Sequence, residues 1–589
     1  MNALTTVYGE KLNRDAPLGE HPDPQFRRER FLTLNGLWDF SLDQEKGRPE
    51  RFNRKIVVPF AVESSLSGLG LSVHKGDYLH YRRKFHLDDG FLSGSLLLHF
   101  EAVDQICDVF LNGERVLHHE GGYLPFSCLI ERPQPENVLE LTVSDDTESP
   151  IYARGKQSLR SGGIWYTATS GVWQSVWLEG VPRGAYIKDF TLTPHFDERK
   201  LNVQAFFAGA KSEGVVEAFF QGRFLARGTF GETGAAELDF RDSFYPWTEG
   251  NPNLYELRLS YGDDLVHSYF AMRKFSVETV AGERFFALNG KPMFLSAPLD
   301  QGYYPDGGLT PPSEKAMEDD ILLAKRCGYN CIRKHIKIEP RRWYCLCDRL
   351  GMLVFQDFVS GGSPYHNFFI VTRPIVKYEL SDTSHRFLGR FLAKSRLQFE
   401  KDLTGTYERL KNVPSLCAWT LFNEGWGQFD SLRLTERLRS LDPSRPIDSA
   451  SGWFDKKTGD FKSHHVYFVA PRLKNDHKRI LSLSECGGFS LGVKGHKFSR
   501  KNFGYAQFKD KARLSKAVRK LYGKRILRLI NRRGLGEAVF TQLTDVENET
   551  NGIVTYDRKI EKIDPSLLNE LNQTLYKAFD RRLAKRRKP

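Results

Sequence analysis

The hydrophobic pattern divides the chain into two regimes. Through Val277 it is strand-like. Ser95–Phe100 is a β-favouring run, and Asp108–Leu111 and Arg115–His118 flank Asn112-Gly113. An Asn-Gly pair between apolar runs marks a hairpin, because both central turn residues need positive φ. Val138–Val143 and Val172–Leu178 complete a helix-poor block that ends near Pro182. A second block reads Leu201–Phe207, Val215–Phe219, Arg223–Phe230, Ala235–Phe240 and Leu254–Tyr261. Short strands about 8–12 residues apart predict a small, immunoglobulin-like sandwich.

Beyond Val277 the period changes. Apolar strand-like runs alternate with helical periodicity, as in βα units. The strands are expected at Met293–Ala297, Asn330–Lys334, Leu353–Asp357, Ser415–Asn423, Ile447–Ala450, His464–Phe468, Ile480–Glu485 and Ala538–Gln542. The helices are expected at Pro312–Arg326, Pro340–Leu350, Phe387–Asn412, Ser431–Leu441, Lys509–Asn531 and Pro565–Asp580. Eight such strands predict a (β/α)8 TIM barrel, with a doubly wound sheet as the rival. The expected architecture is multidomain: a jelly-roll-like β-sandwich over 1–182, an immunoglobulin-like β-sandwich over 183–277, a barrel over 278–580 and a basic tail over 581–589.

Composition then narrows the class. The chain has 589 residues, 40% hydrophobic and 27% charged, which excludes a disordered or disulfide-scaffold protein. No apolar run approaches the ~18 residues of a spanning helix, and the N-terminus lacks the form of a secretory signal. Eight cysteines without paired C-x2-C spacing argue against a zinc site and for a reduced, cytoplasmic protein. The net charge of +13 invites a nucleic-acid or membrane-surface reading. The charge is local, however. Residues 491–534 carry 15 Lys and Arg against one Asp, and 581–589 carry six more, so the remainder is mildly acidic. No helix-turn-helix, zinc-finger or aromatic RNA-binding string accompanies the basic residues. Leu514, Ala517, Val518, Leu521 and Leu529 give the first segment an inward face, so its cations are expected on a solvated outer face.

In a barrel the chemistry lies at the C-terminal ends of the strands. Two expected strands end in a carboxylate after an apolar run: Glu424 on the fourth and Glu485 on the seventh. Taken singly, each reads as a strand-end carboxylate in a salt bridge. Facing one cavity, they are the pair that glycoside hydrolysis needs, an acid for the leaving oxygen and a second carboxylate at the anomeric carbon.

The strings around them sharpen this. Leu421-Phe422-Asn423-Glu424-Gly425-Trp426 resembles the acid/base motif of glycoside hydrolase family 2. Ser484-Glu485-Cys486-Gly487-Gly488 resembles the nucleophile motif, with Cys486 where the family has an aromatic residue. Asn330-Cys331-Ile332-Arg333-Lys334-His335 is similar to the second-strand signature, with the histidine one place early. Leu34-Asn35-Gly36-Leu37-Trp38 and Thr169-Ser170-Gly171-Val172-Trp173-Gln174 match family strings in the first block. The resemblance spans about the whole chain. It implies a retaining exo-β-glycosidase, with Glu424 as acid/base, Glu485 as nucleophile and Asn423 on the sugar 2-hydroxyl.

Strand-end position adds Arg333, His335, Asp300, Asp357, Trp453 and His464 as substrate-binding candidates, with Arg333 placed to keep Glu485 ionised. Gln301, Tyr303, His465, Gln542 and Asp545 stand nearby. No metal and no cofactor is expected. The expected partner is a glycoside or oligosaccharide, with neither nucleic acid nor membrane, and a homo-oligomer is compatible with the sequence. The family's glucuronidases read the substrate carboxylate with an Asn-x-Lys motif. Asn551-Gly552-Ile553 stands near the eighth strand instead, so a neutral sugar is expected, β-galactoside by default. The alternatives are a β-glucuronidase or other β-glycosidase of the family, and a non-catalytic carbohydrate-binding protein.

Overall fold

A computed structural model of the chain describes residues 4–365, 368, 378–467 and 472–586. The first block holds a four-stranded and a six-stranded antiparallel sheet around a shared core that includes Trp38, Tyr81, Leu98 and Val109. Asn112 and Gly113 have φ of 52° and 92°, as their hairpin demands. The run Val172–Leu178 is not one strand. It splits into Gly171–Val172 and Val176–Val181, which belong to different sheets.

The second block is a seven-stranded sandwich of a three-stranded and a four-stranded sheet. Five strands lie where the alternation puts them, and Ala185–His195 and Asp264–Phe270 are additional. Burial along Tyr255–Tyr261 alternates with period two, as one solvated sheet face requires.

The barrel strands are β1 (Leu295–Asp300), β2 (Cys331–Lys334), β3 (Leu353–Asp357), β4 (Leu416–Thr420), β5 (Ile447–Asp448), β6 (Phe461–Val466), β7 (Ile480–Gly487) and β8 (Leu535–Thr541). They form one parallel sheet in the order β5-β4-β3-β2-β1-β8-β7-β6, which curls until β5 lies beside β6. The eight strands thus make a nearly closed barrel and not a doubly wound sheet. Every residue of β1 to β4 is buried, because helices cover the outside while side chains fill the inside.

Helices follow six of the strands: Glu314–Arg326, Arg341–Leu350, Ala393–Leu410, Ser431–Leu441, Lys511–Lys520 continuing to Arg533, and Pro565–Arg586. Among the described residues no helix lies between β5 and β6 or between β6 and β7. The expected sixth strand reaches Phe468, which lies outside the described residues. The final helix runs past Asp580, so residues 581–586 are helical where a tail was expected. Arg582 is buried and paired with Glu283. Arg587, Lys588 and Pro589 lie outside the described residues. In the basic segment Leu514, Val518, Leu521 and Leu529 are buried, and the cations alternate outside them. All eight cysteines are free. No helix of the described residues is long and apolar enough to cross a membrane.

Candidate active site

Asn423 and Glu424 follow β4 after Leu421 and Phe422. Glu424 has a left-handed φ of 50°, and its N–H donates to the Ser451 carbonyl at 3.0 Å, in the loop after β5. A non-glycine residue held at positive φ is strained, and such strain persists where its surroundings fix it. Here the turn sets the carboxyl over the barrel mouth. Glu485 sits on β7 and is 5% exposed.

His465 on β6 joins the two carboxylates. Its Nδ1 is 2.7 Å from Glu424 Oε1, and its Nε2 is 3.5 Å from Glu485 Oε1 and 3.1 Å from Ser451 Oγ. One donor atom from each of Glu424, His465 and Glu485 lies within 4.8 Å of the others. That closeness suits a carboxylate acting at the anomeric carbon in a retaining pair. An inverting pair stands roughly 6.5–9.5 Å apart to admit a water. The three donors would also suit a divalent cation.

Arg333 on β2 organises the floor and is fully buried. It donates to both oxygens of Asp357 at 3.0 Å, to Ser484 O at 3.0 Å, to Glu485 Oε1 at 3.3 Å and to Asn423 Oδ1 at 2.7 Å. The last bond fixes the Asn423 amide, whose buried Nδ2 has no hydrogen-bond partner among the described residues. His335 Nδ1 is 2.6 Å from Asp357 Oδ2.

Electrostatics separates these groups. Burial alone would raise the Glu485 pKa. His465, Arg333 and His335, with a hydrogen bond from the Tyr467 hydroxyl, outweigh burial and hold the carboxyl below its ordinary value. Burial, reinforced by Lys156, lowers His335 to about 4 against the pull of Asp357, so its imidazole is neutral near pH 7. Asp357 lies below its ordinary value, because Arg333 and His335 overcome its burial.

Several expected residues converge here. Glu424, Glu485, Asn423, Arg333, His335 and Asp357 share one network. Trp453 lies at its edge, with its ring centroid 6.3 Å from that of His465. Two do not converge. Asp300 is bound by Lys334 at 2.5 Å and by the Gly302 N–H, in an ion-pair cluster with Glu339, whereas Gln301 faces the cavity. Among the described residues His464 makes no hydrogen bond or ion pair with either carboxylate, and its buried Nε2 has no hydrogen-bond partner. His465 takes the inward position, since adjacent strand residues face opposite ways.

The cavity also takes residues that the strand-end rule does not reach: Tyr467, Tyr505 and Glu549 from the barrel and Lys156 from the first sandwich. Tyr467 and Tyr505 stack at 3.8 Å. The residue types of the Gly155-Lys156 turn carried no site signal, and its 268-residue separation from Glu424 hid it.

Residues 283–479 match the family described as Glycosyl hydrolases family 2, TIM barrel domain. The chain is 24% identical over 350 residues to a β-galactosidase of Thermoanaerobacterium thermosulfurigenes, covering 56% of this chain and 48% of that protein. It is 28% identical over 318 residues to a β-galactosidase of Klebsiella pneumoniae, covering 49% and 28%. These matches span less than half the length of the curated relatives. Among solved structures, a β-glucuronidase of an uncultured Clostridium sp. shares the fold with a TM-score of 0.73 at 18% identity, over 94% of this chain and 99% of that one. A β-galacturonidase of Eisenbergiella tayi bound to galacturonate gives 0.69 at 17%, over 94% and 98%.

Proposed function

We propose that this chain, which belongs to glycoside hydrolase family 2, is a retaining exo-β-glycosidase with Glu424 as acid/base and Glu485 as nucleophile. The observation that carries the reading is the Glu424–His465–Glu485 triangle at the mouth of the barrel, with its donor atoms within 4.8 Å.

In the first half-reaction an oxygen of ionised Glu485 bonds to the anomeric carbon as the glycosidic C–O bond breaks. Glu424 gives its proton to the departing oxygen. In the second, Glu424 takes a proton from water, the hydroxide oxygen bonds to the anomeric carbon, and the Glu485 ester bond breaks. Two inversions leave the β configuration unchanged. Arg333 donates to Glu485 and keeps it anionic for the attack. With its proton on Nε2, His465 leaves Nδ1 to accept from the carboxylic O–H of Glu424 (the tautomer is an assignment from the contacts). The unpartnered Nδ2 of Asn423 is free to donate to the sugar 2-hydroxyl, an interaction that strengthens in the transition state. Trp453 offers an apolar face to the sugar. The two β-galactosidases support a β-galactoside as the default substrate. The eight free cysteines support a reducing, cytoplasmic setting.

Hydrolysis of a panel of nitrophenyl β-glycosides tests the reading. The wild type should cleave at least one, and Glu485→Gln should lose turnover by at least about 10⁴-fold while keeping the wild-type circular dichroism and melting profile. Cleavage of none, with the panel bound, would identify a carbohydrate-binding protein.

A further inference from the structure

The cavity contains a charged pair that the proposed reaction does not use, and its members come from different domains. Lys156 belongs to the first sandwich. The N–H groups of Arg154 and Gly155 donate to the Ser360 carbonyl, in the loop after β3, at 3.0 and 2.9 Å. Gly155 has φ of 61°, and a Cβ there would meet the Ile336 carbonyl and the Tyr123 hydroxyl at 3.0 Å. This close approach lets the turn press into the barrel mouth.

Lys156 is 6% exposed. Its Nζ lies 5.5 Å from the Tyr166 ring centroid and 5.4 Å from that of Trp426. Among the described residues it has no hydrogen bond and no carboxylate within 4 Å. An ammonium flanked by aromatic faces and without a hydrogen-bond partner among the described residues keeps three N–H donors that a ligand's oxygens would engage.

Glu549 faces the same cavity. Its Oε2 accepts from the Tyr166 hydroxyl and its Oε1 from Asn551 Nδ2 at 3.3 Å. Asn551 is fixed by Gln542 Nε2 at 2.7 Å, and Gln542 by Gln301 Nε2 at 2.9 Å. Both oxygens of Glu549 accept, which is the pattern of a carboxylate, and each keeps a lone pair for another donor. The chain of amides holds it rigidly.

A sugar carboxylate entering this cavity would meet Glu485, held ionised, and the acceptor oxygens of Glu549, with Lys156 as the one lysine or arginine of the lining among the described residues. A neutral sugar would instead donate hydrogen bonds from its hydroxyls to Glu549 and accept them from Lys156. We propose that Lys156 and Glu549 read the hydroxyls of a neutral sugar, and that Glu549 rejects sugars that carry a carboxylate. The inference rests on the glycosidase reading above.

The test compares kcat/KM on matched nitrophenyl pairs, β-galactoside with β-galacturonide and β-glucoside with β-glucuronide, for the wild type, Glu549→Gln and Lys156→Met. The wild type should favour the neutral member of its better pair by at least about 100-fold, and Glu549→Gln should cut that ratio at least about tenfold. Lys156→Met should lower kcat/KM on the neutral member by about tenfold, mainly through KM. The ratio within a pair does not depend on the fraction of enzyme folded, so a poorly folded variant still reports. A wild type that prefers the uronide, or an unchanged ratio in Glu549→Gln, overturns this proposal and leaves the glycosidase reading standing. If the wild type hydrolyses no member of either pair or of the wider panel, the glycosidase reading falls, and this proposal with it.

Discussion

The Nδ1 of His465 stands 2.7 Å from Oε1 of Glu424, while the other nitrogen of the same ring faces Glu485. One imidazole thus touches both carboxylates assigned to the reaction, and its neighbour His464 touches neither. After burial, which acts in the opposite sense, His465 is the leading influence on Glu485 and lowers its pKa. Without it the carboxyl should protonate at higher pH. His465→Gln is expected to move the acid limb of the kcat/KM profile upward and to lower the plateau. His464→Gln should leave the limb in place. Paired pH–rate profiles check this, and an equal shift in both variants would count against the assignment.

Asn423 is held by Arg333 through its Oδ1, and its buried Nδ2 has no hydrogen-bond partner among the described residues. Asn423→Ala should therefore cost about 10²-fold in kcat/KM on a normal aryl glycoside and much less on its 2-deoxy analogue. Equal losses on both substrates would show that Asn423 acts through packing instead.

The Glu424–His465–Glu485 donors are close enough for a cation, but the proposed chemistry uses them as proton and nucleophile carriers. Activity after exhaustive treatment with a chelator, followed by removal of the chelator, should equal that of the untreated enzyme. Loss that is restored by one divalent metal would require a different role for these residues.

The C-terminal helix is tied to the barrel by Arg582, which is buried against Glu283 and also donates to the Asn531 carbonyl. Arg582→Met would leave Glu283 without its guanidinium. Removing one member of a buried pair costs about 3–5 kcal/mol. Chemical denaturation followed by tryptophan fluorescence should show the barrel transition at lower denaturant, whereas Arg581→Met, on the exposed side, should not move it.

The sequence made some of this legible and hid the rest for physical reasons. Glu424, Glu485 and Asn423 lie at the ends of mainly apolar runs, and buried parallel strands announce themselves that way. The choice between His464 and His465 was not legible. The β6–β7 register shifts between Ser463 and His465, and a one-residue shift exchanges the two faces of a strand. Asp300 and Gln301 pose the same problem where β1 ends, and there the ion pair with Lys334 decides the direction. Lys156 and Glu549 meet only through packing of the first sandwich on the barrel, which no local period encodes. Residues 581–586 read as a tail because six of the nine residues 581–589 are Lys or Arg, yet Arg582 and Leu583 are buried and continue the helix.

The central claim is that Glu485 bonds covalently to the sugar. Incubation with a 2-deoxy-2-fluoro aryl glycoside of the preferred sugar, then mass mapping of peptides, tests it directly, because the fluorine slows release of the glycosyl-enzyme. The account predicts one added glycosyl group, on the peptide that carries Glu485. A label on any other residue, or turnover of the unmodified substrate with no label at all, would contradict it.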